Sequence, residues 1–327
     1  MRKLIGLVVV LLALYGGYWL VGSRAALRGA ETALINARAE GWGDAEAVHL
    51  AGFPSRFDLT FTAPMLRRAD GAVEWRAGTM QILMLSYRPN EVIAWFPHEQ
   101  VLRAAGQDYA VTVEDMRASA GVSASPDLPL SHVTLVIKTP QIAAPDGSTL
   151  AAAEVRGAIR AAGEPGRYDL GVEVIDLDLP GATLATLANG ATIPQRIEWL
   201  HLDAALSYDR PLDRHTGETP PRLLATDLRD FELHWGGMAL AAQGTVEITA
   251  TGQPEGRILL RATEWRRMLD MAVDAGLIAP KLAPTMQALG AQMAAASGGE
   301  VLELPLVFAN GRMSLGPLPL GAAPYLQ

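Results

Sequence analysis

The sequence predicts an α+β chain that is mostly β: a curved antiparallel meander sheet with a few helices packed on it, after one N-terminal transmembrane helix. Three observations carry that prediction. The chain opens with an unbroken apolar run from Leu4 to Val21. From Asp44 onward the hydrophobic period is two, and the intervals between alternating segments hold turn formers in place of crossover helices.

The apolar run would form a helix about 27 Å long at about 1.5 Å per residue, close to the roughly 30 Å of a bilayer core. Arg2 and Lys3 precede it, and Tyr15, Tyr18 and Trp19 fall toward its far end, where amphipathic rings favour the headgroup layer. The positive-inside rule then keeps the N-terminus cytoplasmic and exports the rest. Residues 1–22 read as a signal anchor, 23–42 as a juxtamembrane helix and 43–327 as a periplasmic β-rich domain. A cleaved signal peptide competes, because Ser23-Arg24-Ala25 offers small residues at the −3 and −1 positions. The run is longer than the usual h-region, which favours an uncleaved anchor; a buried core helix is the third alternative.

Arg24 to Glu40 places Ala26, Leu27, Ala30, Ala33, Leu34 and Ala37 at helical spacing, with Gly41 positioned to stop the helix. Alternation then recurs at Phe57-Leu59-Phe61, Tyr109-Val111-Val113, Val133-Leu135-Ile137, Leu170-Val172-Val174, Leu200 to Leu206 and Phe231-Leu233-Trp235. Turns are expected at Pro89-Asn90, Pro145-Asp146-Gly147, Glu164-Pro165-Gly166, Asn189-Gly190 and Gly252 to Gly256. A faint internal echo links Arg103-Ala104-Ala105-Gly106 with Arg160-Ala161-Ala162-Gly163, each leading to a Tyr-led strand. Asp209 to Arg222 reads as a surface loop or subdomain boundary. Helical spacing returns from Glu264 to Ala296 as two helices joined at Gly276–Pro280. Strands Val301–Phe308 and Arg312–Leu315 follow, then a tail from Gly316 too Pro-rich for an interior strand.

Half of the 327 residues are hydrophobic and 19% are charged, which excludes a disordered chain. The net charge is −8, and becomes −10 once Arg2 and Lys3 are set apart, so the exported part should not adhere to an anionic membrane by charge alone. With lysine only at Lys3, Lys138 and Lys281, a nucleic-acid partner is not expected. The absence of Cys excludes disulfides, thiol chemistry, Cys-ligated zinc, iron–sulfur clusters and a lipidated N-terminal Cys.

Enzyme classes with sequence signatures are missing. The histidines His49, His98, His132, His201, His215 and His234 include no pair at helical i, i+4 spacing, and there is no nucleophile elbow, phosphate loop or dinucleotide fingerprint. No catalytic residue, metal or cofactor is therefore expected. Asp176-Leu177-Asp178 puts two carboxylates on one side of a strand, where they could meet a cation or simply face water. Trp42, Trp75, Trp95, Trp199, Trp235 and Trp265 read as packing residues at a sheet–helix seam. Met80 and Met84, with Met268, Met271, Met286 and Met293 on the late helices, fit either an adaptable apolar groove or an ordinary core. The four late methionines are the candidate ligand-binding residues.

Three stretches together resemble the bacterial family known as the domain of unknown function 2125: Gly52-Phe53-Pro54-Ser55-Arg56-Phe57-Asp58-Leu59; Leu233-His234-Trp235-Gly236 with Gly256 to Leu260 and Trp265 to Leu269; and Gly311 to Gly321. The resemblance spans most of the chain after the membrane segment and implies no activity and no site residues. More remotely, the long sheet is similar to envelope proteins whose curved sheets hold lipids, an analogy of architecture. The expectation is a single-pass inner-membrane protein whose periplasmic sheet binds a lipid or other apolar ligand without catalysis. The alternative is an envelope scaffold that contacts other proteins through strand edges or Pro-rich loops.

Overall fold

The computed structural model describes residues 2–181, 193–276, 278–295 and 299–325. The segments expected to be anchor and juxtamembrane helix form one unbroken helix, α1 (Arg2–Glu40), which Gly41 ends in the left-handed conformation at φ 76°. Nothing in the junction around Gly22 and Ser23 breaks helical hydrogen bonding. Side chains from Arg2 to Leu14 are exposed, and only from Tyr15 onward does α1 lie against the sheet, burying Ser23 and Ala37.

The sheet begins with long antiparallel strands, each broken once near the middle. In chain order these are β1 and β2 (Gly43–Asp44, Ala47–Ala51), β3 and β4 (Arg56–Thr62, Met65–Arg67), and β5 and β6 (Val73–Ala77, Thr79–Leu85). They continue with β7 and β8 (Arg88–Phe96, Glu99–Ala104) and β9 and β10 (Gln107–Thr112, Asp115–Val122). Next come β11 and β12 (Leu130–Lys138, Gln141–Ala143) and β13 and β14 (Thr149–Ala151, Glu154–Ala161).

The breaks line up into a crease. On one side, β1, β4, β5, β8, β9, β12 and β13 pair in that order as a short leaf; on the other, β2, β3, β6, β7, β10, β11 and β14 pair as a long leaf. Backbone bonds carry on through the corner, from Ala63 N–H to the Gly78 carbonyl at 2.8 Å, Val113 to His98 at 2.9 Å and Thr139 to Ala153 at 2.9 Å. Pro64, Pro97 and Pro140 occupy it because a proline has no ladder donor to lose. Ala63 and Thr139 bend the chain there at φ 46° and 48°, a left-handed conformation that disfavours side chains other than glycine.

The long leaf extends through β15 (Arg167–Asp178), β16 (Arg196–Tyr208), β17 (Leu223–Trp235), β18 (Met238–Ile248), β19 (Pro254–Thr263), β20 (Val301–Ala309), β21 (Arg312–Leu315) and β22 (Leu318–Ala322). Each strand pairs antiparallel with the next, and the sheet does not close on itself. Between β19 and β20 stand α2 (Trp265–Asp274), a 3₁₀ turn at Pro280–Leu282 and α3 (Ala283–Ala294), in agreement with the spacing of the sequence. The Pro-rich tail supplies β22, an edge strand, where Pro319 costs no interior hydrogen bond.

Several local expectations change. Pro89 and Asn90 lie inside β7 and not in a turn; the turn is at Ser86-Tyr87, and a register shift between Met84 and Leu85 absorbs the proline near the strand's start. Of Gly252 to Gly256, only the beginning is turn, since β19 starts at Pro254. Asn189-Gly190 lies outside the described residues. Asp209 to Arg222 is a loop between two paired strands, closed by Arg222 Nε on Asp209 at 3.1 Å and pinned where Leu212 N–H donates to the Tyr168 hydroxyl at 2.9 Å. Both echo segments form hairpins, β8–β9 and β14–β15, but Tyr168 is buried whereas Tyr109 is half-buried.

Candidate functional site

Register decides which alternating residues share a face. Following the pairing partners from β3 outward, Leu59 stands beside Ile82, Ile82 beside Ala94 and Ala94 beside Ala118. The same row continues through Leu135, Gly157, Val172 and Leu202 to Phe231, Ala242, Leu260 and Leu304. Flanking rows on that side are equally apolar, for example Val133, Ile159 and Leu170, or Ile137, Val155 and Val174. One face of the long leaf is thus apolar without interruption.

The opposite face is polar and cross-linked. Arg156 contacts Glu154 at 2.8 Å and Glu173 at 3.1 Å, Arg229 contacts Asp169 at 2.6 Å, Arg160 reaches Asp169 at 3.1 Å, and Arg261 pairs with Glu303 at 2.7 Å. The Arg229 and Arg160 guanidiniums, in that order, hold the Asp169 carboxyl below its ordinary value. This contrast fixes which way the crease folds. Trp75 of the short leaf meets Phe96 of the apolar face edge-on at 5.7 Å, so the apolar face lies inside the angle. Trp75 Nε1 donates to Gln100 at 2.7 Å, and buried Gln100, Val113 and Ala152 fill the corner.

Inside that angle, the middle of the apolar face has no cover. Val133, Leu135, Val155, Ile159, Leu170, Val172, Leu200 and Leu202 are all half-buried. A Cβ added to Gly157, on the same face, would meet nothing within 4 Å. The whole chain exposes 19115 Å². A compact monomer of 34.8 kDa would expose about 13,000 Å². Even fully extended, the thirteen residues of α1 up to Leu14 would supply only about 2,000 Å² of the difference.

Helices close the two ends. At one, α1 covers β2 and β3, where Trp19 lies 6.1 Å from Phe57, and Met80 and Met84 continue the face on β6. At the other, α2 and α3 sit on β19 to β22 around a cavity of about 230 Å³. Met268, Met286 and Met293 line it with Trp265, Leu302 and Leu304; Met271 is half-buried outside that lining. Gly290 lets α3 approach the buried Trp265, since a Cβ there would stand 2.6 Å from the indole ring. A cavity of this size holds a small apolar group and lies below the range of drug-sized ligand pockets. Gln287 on α3 bonds Asp270 on α2 at 3.1 Å, tying the helices together.

The other candidates do not assemble into chemistry. Asp178 is held by Arg196 through two bonds of 2.7 and 2.8 Å, which keeps its carboxyl below the ordinary value, and Asp176 sits at φ 51°. Of the histidines, His201 stacks on Trp199 at 5.3 Å, and His234 meets the same ring edge-on at 5.5 Å while contacting Glu232 at 3.2 Å. No group of three metal-ligating side chains occurs among the described residues. Of the tryptophans, Trp265 is buried, but Trp42 is exposed at the end of α1 with its Nε1 on Glu40 at 2.8 Å, so it packs no seam. An open cleft of about 880 Å³ follows the crease beside α1; in its lining Arg38 pairs with Asp44 and Arg76 with Glu74 and Asp108, while Glu46 and Glu99 join no ion pair among the described residues.

The apolar face was only half legible beforehand, because alternation identifies two faces and register alone shows that their apolar sides join. No curated protein and no solved structure matches the chain. A family model described as an uncharacterized protein conserved in bacteria matches residues 19–324, from the middle of α1 to the end of the sheet. The chain belongs to that family, the domain of unknown function 2125.

Proposed function

We propose that this is a membrane-anchored envelope protein that holds an apolar ligand, the acyl chains of a lipid, against the inner face of its creased sheet, without catalysing a reaction. The carrying observation is the apolar face that runs unbroken across the long leaf, with half-buried side chains and open space above Gly157. A soluble protein rarely leaves so extended an apolar surface in water, and each methylene buried there contributes about 0.8 kcal/mol. The anchor is α1, apolar enough to cross a membrane, with Arg2 and Lys3 favouring a cytoplasmic N-terminus and a periplasmic sheet. The scaffold alternative draws less support, because α1 covers the first edge of the long leaf and its last strand, β22, is short and carries Pro319.

The test is a photo-cross-linking residue placed at Leu202 on the inner face, or at Ala205 on the outer face, in cells. Lipid adducts identified by mass spectrometry at Leu202 and absent at Ala205 are expected. Equal adducts at both positions, or none at Leu202, would overturn the proposal.

A further inference from the structure

We infer that the hairpin tips beside α1 are themselves immersed in the membrane, so that the long leaf stands with Phe53 and Tyr87 in the lipid headgroup and upper acyl region. This rests on the anchoring of α1 proposed above and adds where the sheet sits relative to the bilayer. The first argument is length. The cations Arg2 and Lys3 hold one end of the apolar run at the membrane surface, and from Arg2 to Leu14, before contact with the sheet begins, runs about 20 Å of helix at about 1.5 Å per residue, against a bilayer core of about 30 Å. The missing 10 Å or so amounts to about seven residues, which places the core boundary near Val21. The sheet already touches α1 below that level. Tyr18 donates to the Ser86 carbonyl at 2.5 Å, Trp19 Nε1 donates to the Arg56 carbonyl at 2.9 Å, and Tyr15 lies 3.3 Å from the Ser86 hydroxyl.

The second argument is what those tips carry. Phe53, in the β2–β3 turn, is 65% exposed and meets Trp19 edge-on at 5.1 Å; Tyr87, in the β6–β7 turn, is 63% exposed. Neither tip contains an acidic residue, and Arg56 and Arg88 flank them, placed for lipid phosphates while paired with Asp58 and Glu91. Turns farther along the same edge become polar: the β10–β11 loop carries exposed Asp127, and the β14–β15 turn exposed Glu164. The β10–β11 loop exposes Leu128 as well, but beside Asp127, whereas the exposed aromatic tips free of acidic residues stand on the strands next to the anchor, as an inserted corner requires. An aromatic and a phenol at this depth match the preference of such rings for the interface.

The chain has no native Cys, so single cysteines can carry an environment-sensitive fluorophore in full-length protein reconstituted into phosphatidylethanolamine–phosphatidylglycerol vesicles. Probes at Phe53→Cys and Tyr87→Cys are expected to lose quenching by aqueous iodide and to be quenched by lipids spin-labelled near the headgroup. Val10→Cys reports the anchor, and Gln107→Cys, at the far end of the short leaf, reports water. Iodide quenching at positions 53 and 87 equal to that at 107, with position 10 still shielded, overturns the immersion and leaves the anchor standing. Iodide access at position 10 removes the anchor and the inference with it. Because Tyr87 makes no ring contact with α1, its variant keeps the test informative if Phe53→Cys disturbs the packing against Trp19.

Discussion

Replacing Gly157 by Trp separates an open trough from a filled core by the sign of its effect. Gly157 lies in mid-strand on the inner face, between Leu135 and Val172 on the neighbouring strands, and its absent side chain would point into open space. An indole there removes the entropic cost of a strand glycine, about 0.5–1 kcal/mol, and adds cross-strand contacts of about 0.2–1 kcal/mol. Stability should rise by about 1 kcal/mol, or roughly 2–4 °C in Tm. Overpacking a filled core would instead cost about 1–3 kcal/mol. The same ring takes space from a ligand: displacing about three methylenes at about 0.8 kcal/mol each weakens lipid binding about 50-fold. Thermal unfolding followed by near-ultraviolet circular dichroism measures the first effect, and lipid cross-linking at Leu202 the second. A clear drop in Tm would refute the open trough, and undiminished cross-linking in a folded variant would refute lipid occupancy of that part of the face.

Gly290→Leu, the same kind of change, should act in the opposite direction: with the Trp265 ring 2.6 Å from a new Cβ, overpacking of about 1–3 kcal/mol exceeds the helix-propensity gain of about 1 kcal/mol, and urea unfolding should shift to lower midpoint. Asp169→Asn tests the outer face. Because Arg229 and Arg160 depress the Asp169 pKa, its contribution is present above the ordinary carboxylate range and is lost as pH falls through the depressed value. The variant should be less stable than the parent at pH 7 by no more than about 1 kcal/mol, with the difference vanishing toward pH 2; a difference that persists in acid would contradict the ion-pair account. Alkaline phosphatase fused after the last residue should be active in cells, and an inactive fusion would reverse the proposed orientation.

The strands, the paired late helices and the apolar first helix were legible because each depends on periodicity, which sequence records directly. The crease was not. Its left-handed corners fall on Ala63 and Thr139, residue types that give no turn signal, and the break after Thr112 left Tyr109-Val111-Val113 looking like one strand. Pro89 misled in the other direction, since a proline close to a strand's start reads like a turn until the partner strand is known. The methionines show how far helical spacing goes. Trp265, Met268 and Leu269 define the face of α2 that meets the cavity, and at 3.6 residues per turn Met271 lies about 110° away from its centre. Met286 and Met293, seven residues apart, stay together on α3.

The arrangement of cover along the inner face bears on how a lipid would reach it. Phe57 and Leu59 are buried where α1 lies over β2 and β3, but the face emerges on β6 and β7 at Met84 and Val92, which are half-buried. Those two residues stand on the strands flanking the Ser86-Tyr87 turn, the one bonded to Tyr18. If that turn lies in the headgroup layer, the first uncovered part of the apolar face begins within a few residues of the bilayer surface. An acyl chain could then pass from leaflet to sheet with little of its length in water, avoiding a desolvation barrier that otherwise grows by about 0.8 kcal/mol with each exposed methylene. The thioether of Met84 suits such an entrance, because it repacks around varied shapes where a branched side chain would not. At the opposite end α2 and α3 cover the face, so among the described residues the uncovered stretch lies between that opening and a helical stop. That geometry favours ligands drawn from the membrane over ligands captured from solution.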